Sequence, residues 1–397
     1  MINLSRVKTV NLKKEIIFLT PSSSLPILKT SPYLATLTSL AKEHRSFTFV
    51  NSDQLELPSR KGTLKMVGKE FKYFNPSSFS EFNTFLKNKE DIIIINNLSR
   101  TFSFFKLLIF LRIKNYPQIL ISNLGNIQDN VFNYFEINIT YLKRLLTINL
   151  PDKICWLLSV LGIFKKIEAR FVSNKNIYNH YNKKSKFRKN FFSYYKRIIL
   201  VRSNFFEIYN NKSNKISNDF IVLLDYYPYY GELYNLHAKD VADHYLKLNK
   251  LLNTLQKIFK KKIAICIHPN YPIKFHKKVF PRYAVHKHMT NFFIKKAFLV
   301  LFFDSSSILH AIFLNKRILS IRSELLQGAN RNYADTYTNI INNESINLMH
   351  EYKINKKKFL SKLNNKIKEY KKYKSRFMGS DVIENSAETI SRFIKKL

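Results

Sequence analysis

The sequence predicts an α/β chain of two parallel-sheet domains, and three observations predict it. Short apolar runs rich in β-branched and aromatic residues alternate with stretches of helical periodicity along most of the chain. The connecting stretches are long enough for crossover helices, which parallel strands require. The chain has 397 residues, the length of two ordinary domains, and its 45% hydrophobic and 24% charged content allows a large buried core.

In chain order, residues 15–20 (EIIFLT) read as a buried strand, 32–44 as a helix and 46–50 as a strand. Residues 91–96 (DIIIIN) read as another strand, 102–114 as a helix and 118–122 (QILIS) as the strand that closes the unit. A first α/β domain is therefore expected over residues 1–150. The pattern then changes: residues 154–164 (ICWLLSVLGIF) are uniformly apolar and 182–197 (NKKSKFRKNFFSYYKR) basic and aromatic, which makes 151–195 a connecting or membrane-facing region. Alternation resumes with strands at 197–201, 220–225 (FIVLLD), 263–268 (IAICIH), 298–303 (FLVLFF) and 317–321 (RILSI), and with helices near 238–260 and 306–315. That gives a second α/β domain over 196–345 and terminal helices over 346–397.

Composition removes several function classes. The seven glycines, Gly62, Gly68, Gly125, Gly162, Gly231, Gly328 and Gly379, cannot write either the dinucleotide-binding turn or the P-loop, both of which need glycine for close backbone approach to phosphate. Cys155 and Cys266 are solitary and sit in apolar runs, which points to a reducing compartment rather than to a disulfide framework. No D-x-D triplet occurs. The first residues carry Lys13, Lys14 and Glu15 and do not read as a secretory signal, and no apolar run approaches the roughly 18 to 20 residues of a spanning helix. A cytoplasmic protein is expected, with peripheral contact on the inner face of the cytoplasmic membrane as a further expectation.

In open α/β sheets, ligands sit beyond the carboxyl ends of the strands. Three groups end strands of the second domain: Asp225, His268 with Pro269, and Ser305, Ser306 and Ser307 behind Asp304. The serines read either as a helix cap or as a phosphate cradle. His268 reads as a structural imidazole or as a donor to a leaving phosphate. Asp225 reads as a loop-capping carboxylate or as a general base.

Residues 264–269 (AICIHP), 296–307 (KAFLVLFFDSSS) and 311–321 (AIFLNKRILSI), with 198–206 (IILVRSNFF) and 222–232 (VLLDYYPYYGE) upstream, carry a likeness. They resemble the histidine-proline and serine motifs of bacterial surface-polysaccharide glycosyltransferases of the GT-B fold, the sialyltransferase and capsule-transferase groups among them. The likeness covers about residues 196–325. It implies two Rossmann-like domains facing a cleft, residues 1–150 on the acceptor side and 196–345 on the nucleotide-sugar side. It implies that His268 and Ser305 to Ser307 bind the phosphate of a nucleotide-sugar donor, commonly linked to cytidine monophosphate, and that Asp225 or Glu232 is the acceptor's base. The sequence departs from the pattern at Tyr229, Tyr230 and Gly231, where relatives show a histidine-proline pair, and at Asp304, where a neutral residue is usual. The implied reaction is a metal-independent single displacement onto a glycan or glycolipid of the cell surface, such as lipopolysaccharide or capsule, with no cofactor.

The remaining signals leave rivals open. Lys+Arg 67 against Asp+Glu 27 gives a net charge of +40, which suits anionic partners, although the bias of an AT-rich genome toward lysine codons gives the same signal. The run 183–197 reads as a solvated face or, with 154–164, as an interfacial anchor on anionic headgroups, and the C-terminal lysines read as a solvated helical face. Neither His286 with His288 nor His237 with His244 has a third ligand nearby, so no metal is expected. The alternatives to a glycosyltransferase are a sugar-nucleotide epimerase of similar form and a basic nucleic-acid-binding protein.

Overall fold

The computed structural model describes residues 14–20, 33–56, 68–96, 105–121, 167–183, 195–209, 217–226, 238–268, 271–303, 305–323, 338–339, 341, 344–348, 350 and 352–397. These form two compact units, each around one parallel sheet.

The first unit's sheet joins β1 (Glu15–Thr20), β2 (Ser46–Asn51), β3 (Lys72–Phe74), β4 (Ile92–Asn96), β5 (Gln118–Ile121), β6 (Ala169–Val172) and β7 (Ile198–Leu200) in the order β3-β2-β1-β4-β5-β6-β7. Its central strands are continuous apolar runs because helices cover both faces. Side chains alternate between faces along a strand, so each run feeds two cores. Ile16, Phe18, Ile93 and Ile95 pack on one side with residues of α1 (Tyr33–Glu43). Ile17, Leu19, Ile92 and Ile94 pack on the other against α2 (Phe79–Lys87) and α3 (Phe105–Lys114). The start of α2 is fixed by its sequence: Ser78 Oγ accepts from Glu81 N–H at 3.2 Å, while Glu81 accepts from Ser77 N–H at 2.7 Å. Past β6 lies α4 (Lys175–Lys183).

The second unit's sheet joins β8 (Phe220–Asp225), β9 (Lys262–Ile267), β10 (Ala284–Lys287), β11 (Ala297–Phe302), β12 (Arg317–Arg322) and β13 (Glu344–Asn347) in the order β10-β9-β8-β11-β12-β13. Between β8 and β9 runs α5 (Ala238–Phe259), whose Val241, Tyr245, Leu248, Leu252, Leu255 and Phe259 form the apolar stripe of a helix and enter the core. Shorter helices follow: α6 (Ile273–Val279), α7 (Thr290–Lys295) and α8 (Ile308–Phe313). Then come α9 (Lys356–Ile367) and α10 (Tyr370–Phe377). Leu363 of α9 is buried in the same core.

The boundaries differ from those expected. The strand at 197–201 pairs with β6, Phe171 opposite Ile199, so it closes the first sheet instead of opening the second domain. The first unit runs through Glu207 and the second begins at Ile208. A short apolar run states that it is a strand but not which neighbour it pairs with. The C-terminal helix α11 (Ser386–Ile394) does not join α9 and α10 but returns to the first unit. There Ile390 and Ile394 enter the core, and Thr36 Oγ1 meets Ser386 Oγ at 3.0 Å. The apolar run 154–164 and the basic residues 184–194 lie outside the described residues. Among the described residues, no helix is long and apolar enough to cross a membrane.

Candidate functional site

The carboxyl ends of β9, β8 and β11 are neighbours. Asp225 pairs with Ile267 and Leu224 with Phe302, so these strands end level. His268 is the first residue beyond β9, Asp225 the last of β8, and Ser305 to Ser307 follow β11. With strands about 4.8 Å apart, β9 and β11 are separated by about 10 Å across β8. The sheet thus brings the three expected groups to one rim, although each meets a different environment there.

His268 is exposed, with its ring 5.1 Å from that of Tyr271. Partial burial lowers its pKa, and the neighbouring Lys287 and His288 lower it further, so the ring is neutral near pH 7 and its N–H can donate. Lys287 ends β10 level with Ile267 of β9 and donates from Nζ to Tyr271 O at 3.1 Å. His288 turns the chain beyond it with φ 64°, in the left-handed region. Lys287, His288 and His268 therefore make a nitrogen-rich corner at the ends of two adjacent strands. The sequence reading singled out His268 and not Lys287, because AVHK lacks the apolar run that marks a strand.

Asp225 has a side chain with 0% exposure. Tyr245 OH donates to its Oδ2 at 3.3 Å, and His276 Nε2 lies 3.4 Å from the same oxygen. The other nitrogen of that ring, Nδ1, is 3.0 Å from Pro272 O, and Nε2 is also 3.4 Å from Tyr226 O. Both ring nitrogens meet acceptors. With Nδ1–H given to Pro272, contact between Nε2 and the carboxyl group needs a proton between them, on one partner or the other. Burial lowers the His276 pKa, while the carbonyls of Pro272 and Tyr226 act to raise it. Burial, with the negative charge of Asp225 next, holds Tyr245 protonated well above its usual range. The acceptor's base was expected to meet an incoming hydroxyl, whereas this carboxylate has no exposed surface. The second expected base, Glu232, lies outside the described residues, as do Tyr229, Tyr230, Gly231, Asp304 and Pro269.

The serine turn spends much of its hydrogen bonding on itself. Ser305 Oγ accepts from Ser307 N–H at 3.3 Å, and the carbonyls of Ser305, Ser306 and Ser307 accept from Ile308, Leu309 and His310. Ser305 thus closes the turn, while Ser307, the residue at the N-cap of α8, makes no side-chain capping bond. Ser306 is the exposed member and Ser307 is half-buried. Behind the turn, His310 Nδ1 meets Tyr209 OH at 2.5 Å.

One further pair lies near the same rim. Phe302 pairs with Ser320, and Ser323 follows just past the end of β12. Ser323 Oγ lies 2.7 Å from His244 Nδ1 of α5. The His244 ring packs against Tyr226, Tyr245 and Phe303, and burial pulls its pKa down to about 4, so it is neutral and fixes the Ser323 hydroxyl by a neutral hydrogen bond. Its signal in the sequence was a histidine on the apolar stripe of a helix next to Tyr245, and its partner is 79 residues away. Among the described residues, no three His, Cys, Asp or Glu side chains gather to hold a metal ion.

Two parallel α/β sheets, each in its own unit, are the architecture of the GT-B fold, and solved structures agree. S. aureus MnaA, solved with UDP, superposes with a TM-score of 0.50 at 13% identity, over 97% of this chain and 96% of that one. The glycotransferase of kitacinnamycin superposes with a TM-score of 0.50 at 8% identity, over 96% and 98%. A UDP-GlcNAc 2-epimerase from Neisseria meningitidis bound to UDP-GlcNAc gives 0.47 at 14% identity, over 97% and 100%. At these identities the two superpositions at 0.50 establish the fold alone: the chain is a two-domain α/β protein of GT-B type. No protein-family model matches the sequence, and no curated protein does.

Proposed function

We propose that the chain is a glycosyltransferase that moves a sugar from a pyrimidine nucleotide-sugar to a hydroxyl of a cell-surface glycan or glycolipid. The observation that carries this reading is the corner of His268, Lys287 and His288 at the carboxyl rim of the second sheet, where a GT-B scaffold takes a ligand beyond its strand ends. A neutral imidazole donates to a phosphate oxygen, and the adjacent ammonium offsets the charge that grows as the nucleotide leaves. The exposed Ser306 hydroxyl and the fixed Ser323 hydroxyl supply further donors on the β11 and β12 side. In this reading the acceptor's proton goes to Glu232, and Asp225 serves the site by holding the end of β8 through its shared proton with His276. The sequence likeness favours a cytidine monophosphate donor. The uridine nucleotide held by the S. aureus neighbour makes uridine the second arm of the test.

Titrating the protein with cytidine, uridine and guanosine nucleotides while following its melting temperature tests the proposal. A cytidine or uridine nucleotide is expected to raise Tm, and His268→Ala to weaken binding about 10- to 100-fold, the worth of one charge-assisted hydrogen bond. No response to any nucleotide, or one that His268→Ala leaves unchanged, refutes it. Turnover of a donor sugar with no acceptor present would assign the site to an epimerase instead.

A further inference from the structure

We infer that the outward face of α9 and α10 is a docking surface for an anionic phospholipid bilayer. Residues 353–376 hold ten lysines and one arginine against one glutamate, a net +10. Biased lysine codons would spread that charge evenly, and they do not. On the same unit α5, nearly as long, carries four lysines against two aspartates, a net +2. Between these two helical stretches of one unit, the charge is concentrated on α9 and α10.

The pair's inward face is already used. Leu363, Tyr370, Tyr373 and Phe377 are buried, and Phe359 and Leu360 pack against the second unit's core. What remains outside is cationic: Lys356, Lys357, Lys358, Lys362, Lys371 and Lys372 are all exposed. Lys362 meets Glu344 at 3.4 Å and Lys372 meets Glu369 at 3.0 Å, whereas among the described residues Lys356, Lys357, Lys358 and Lys371 form no ion pair.

Those facts select the partner. Single-stranded nucleic acid needs exposed rings for its bases, and the rings of this segment face inward. Phosphate recognition by geometry favours the planar fork of arginine, while this face offers lysine point charges. A plane of acidic headgroups asks only for clustered positive charge within a Debye length of the surface. Because the apolar face is committed to the core, the helices cannot bury it in lipid, so binding is electrostatic and yields to salt.

Co-sedimentation with phosphatidylcholine vesicles, with and without about 30% phosphatidylserine, reads this directly and needs no nucleotide, so it stands or falls apart from the glycosyltransferase reading. Binding is expected only with the acidic lipid and to fall at least about tenfold when salt rises from about 0.1 M to 0.5 M. Lys357→Glu with Lys371→Glu is expected to cut binding about tenfold. Lys357→Gln with Lys371→Gln, which adds no acid, cuts it less. Lys250→Glu with Lys257→Glu on α5 changes the net charge equally and is expected to leave binding within about twofold. Equal loss from the two Glu pairs, equal binding to neutral vesicles, salt-independent binding, or tighter patch-dependent binding to single-stranded oligonucleotide would each overturn the inference.

Discussion

Acid is expected to unfold the second unit through two histidines that lie inside it. Burial pulls His244 down to about 4 and His310 to about 3, the latter with Lys295 as a further cause. An unfolded histidine titrates near 6.5. Below that pH the unfolded chain takes up protons that the folded rings refuse. The stabilisation is complete above about pH 6.5 and is lost, at about 1.4 kcal/mol per pH unit per histidine, as pH falls toward the folded values. By about pH 4.5 the two together cost about 5 kcal/mol, comparable with the whole stability of an ordinary domain. Urea midpoints measured from pH 7 downward, with hydrogen exchange of the β8 to β12 amides to isolate this unit, should show a slope of at least about two protons, with His276, also lowered by burial, adding to it. His310→Asn should reduce the slope by about one. A flat profile between about pH 6.5 and 4.5 sinks the account. In the first unit His44, bonded to Ser391 Oγ at 3.0 Å and pulled to about 4 by burial, adds its own acid sensitivity to the contact with α11.

What the sequence disclosed follows from what a local pattern can carry. FIVLLD and IAICIH declare buried parallel strands because nothing else explains such runs next to polar termini, and β8 and β9 lie within a residue of the expected places. KYF, ARFV, AVHK and ESIN do not declare themselves, and they became β3, β6, β10 and β13. Three of these are short, partly polar strands at or near sheet edges, where one side needs no apolar run. The fourth, ARFV, is interior, but a four-residue run with Arg170 in it is too weak a pattern to announce itself. The same limit governs the site. His268 was legible because a histidine ends an apolar run before a proline. Lys287 was not, since its strand was not. Ser323 with His244, and Asp225 with His276, are contacts across 79 and 51 positions that no local pattern records. The fate of the last helix was equally hidden: residues 386–394 have a clear apolar stripe, but a stripe does not name the core it enters.

Replacing Asp225 is expected to damage the fold before it touches any chemistry. The carboxyl group lies 3.4 Å from His276 Nε2, close enough to share a proton with it, and accepts from Tyr245, all three inside the unit. Asp225→Ala removes the carboxylate that both of the others address at the end of β8. It leaves a buried phenol hydroxyl and a buried imidazole to be satisfied by the Tyr226 carbonyl, which both already approach. Breaking a buried pair from one side costs about 3 to 5 kcal/mol, because the remaining polar group stays desolvated. Asp225→Asn keeps an acceptor for Tyr245 but cannot share a proton, so its cost should fall between wild type and Asp225→Ala. The proton sharing is measured by a double-mutant cycle with His276→Gln: a coupling of about 1 to 3 kcal/mol is expected, the range for residues in one network. The cycle also separates two roles for Asp225. A base in contact with the acceptor predicts an Asn variant with the wild-type urea midpoint and no turnover. A buried anchor predicts a lowered midpoint, with turnover recovering under conditions that restore folding. An Asp225→Ala protein whose stability stays within about 0.5 kcal/mol of wild type would remove the anchor, and with it the reason to pass the base role to Glu232.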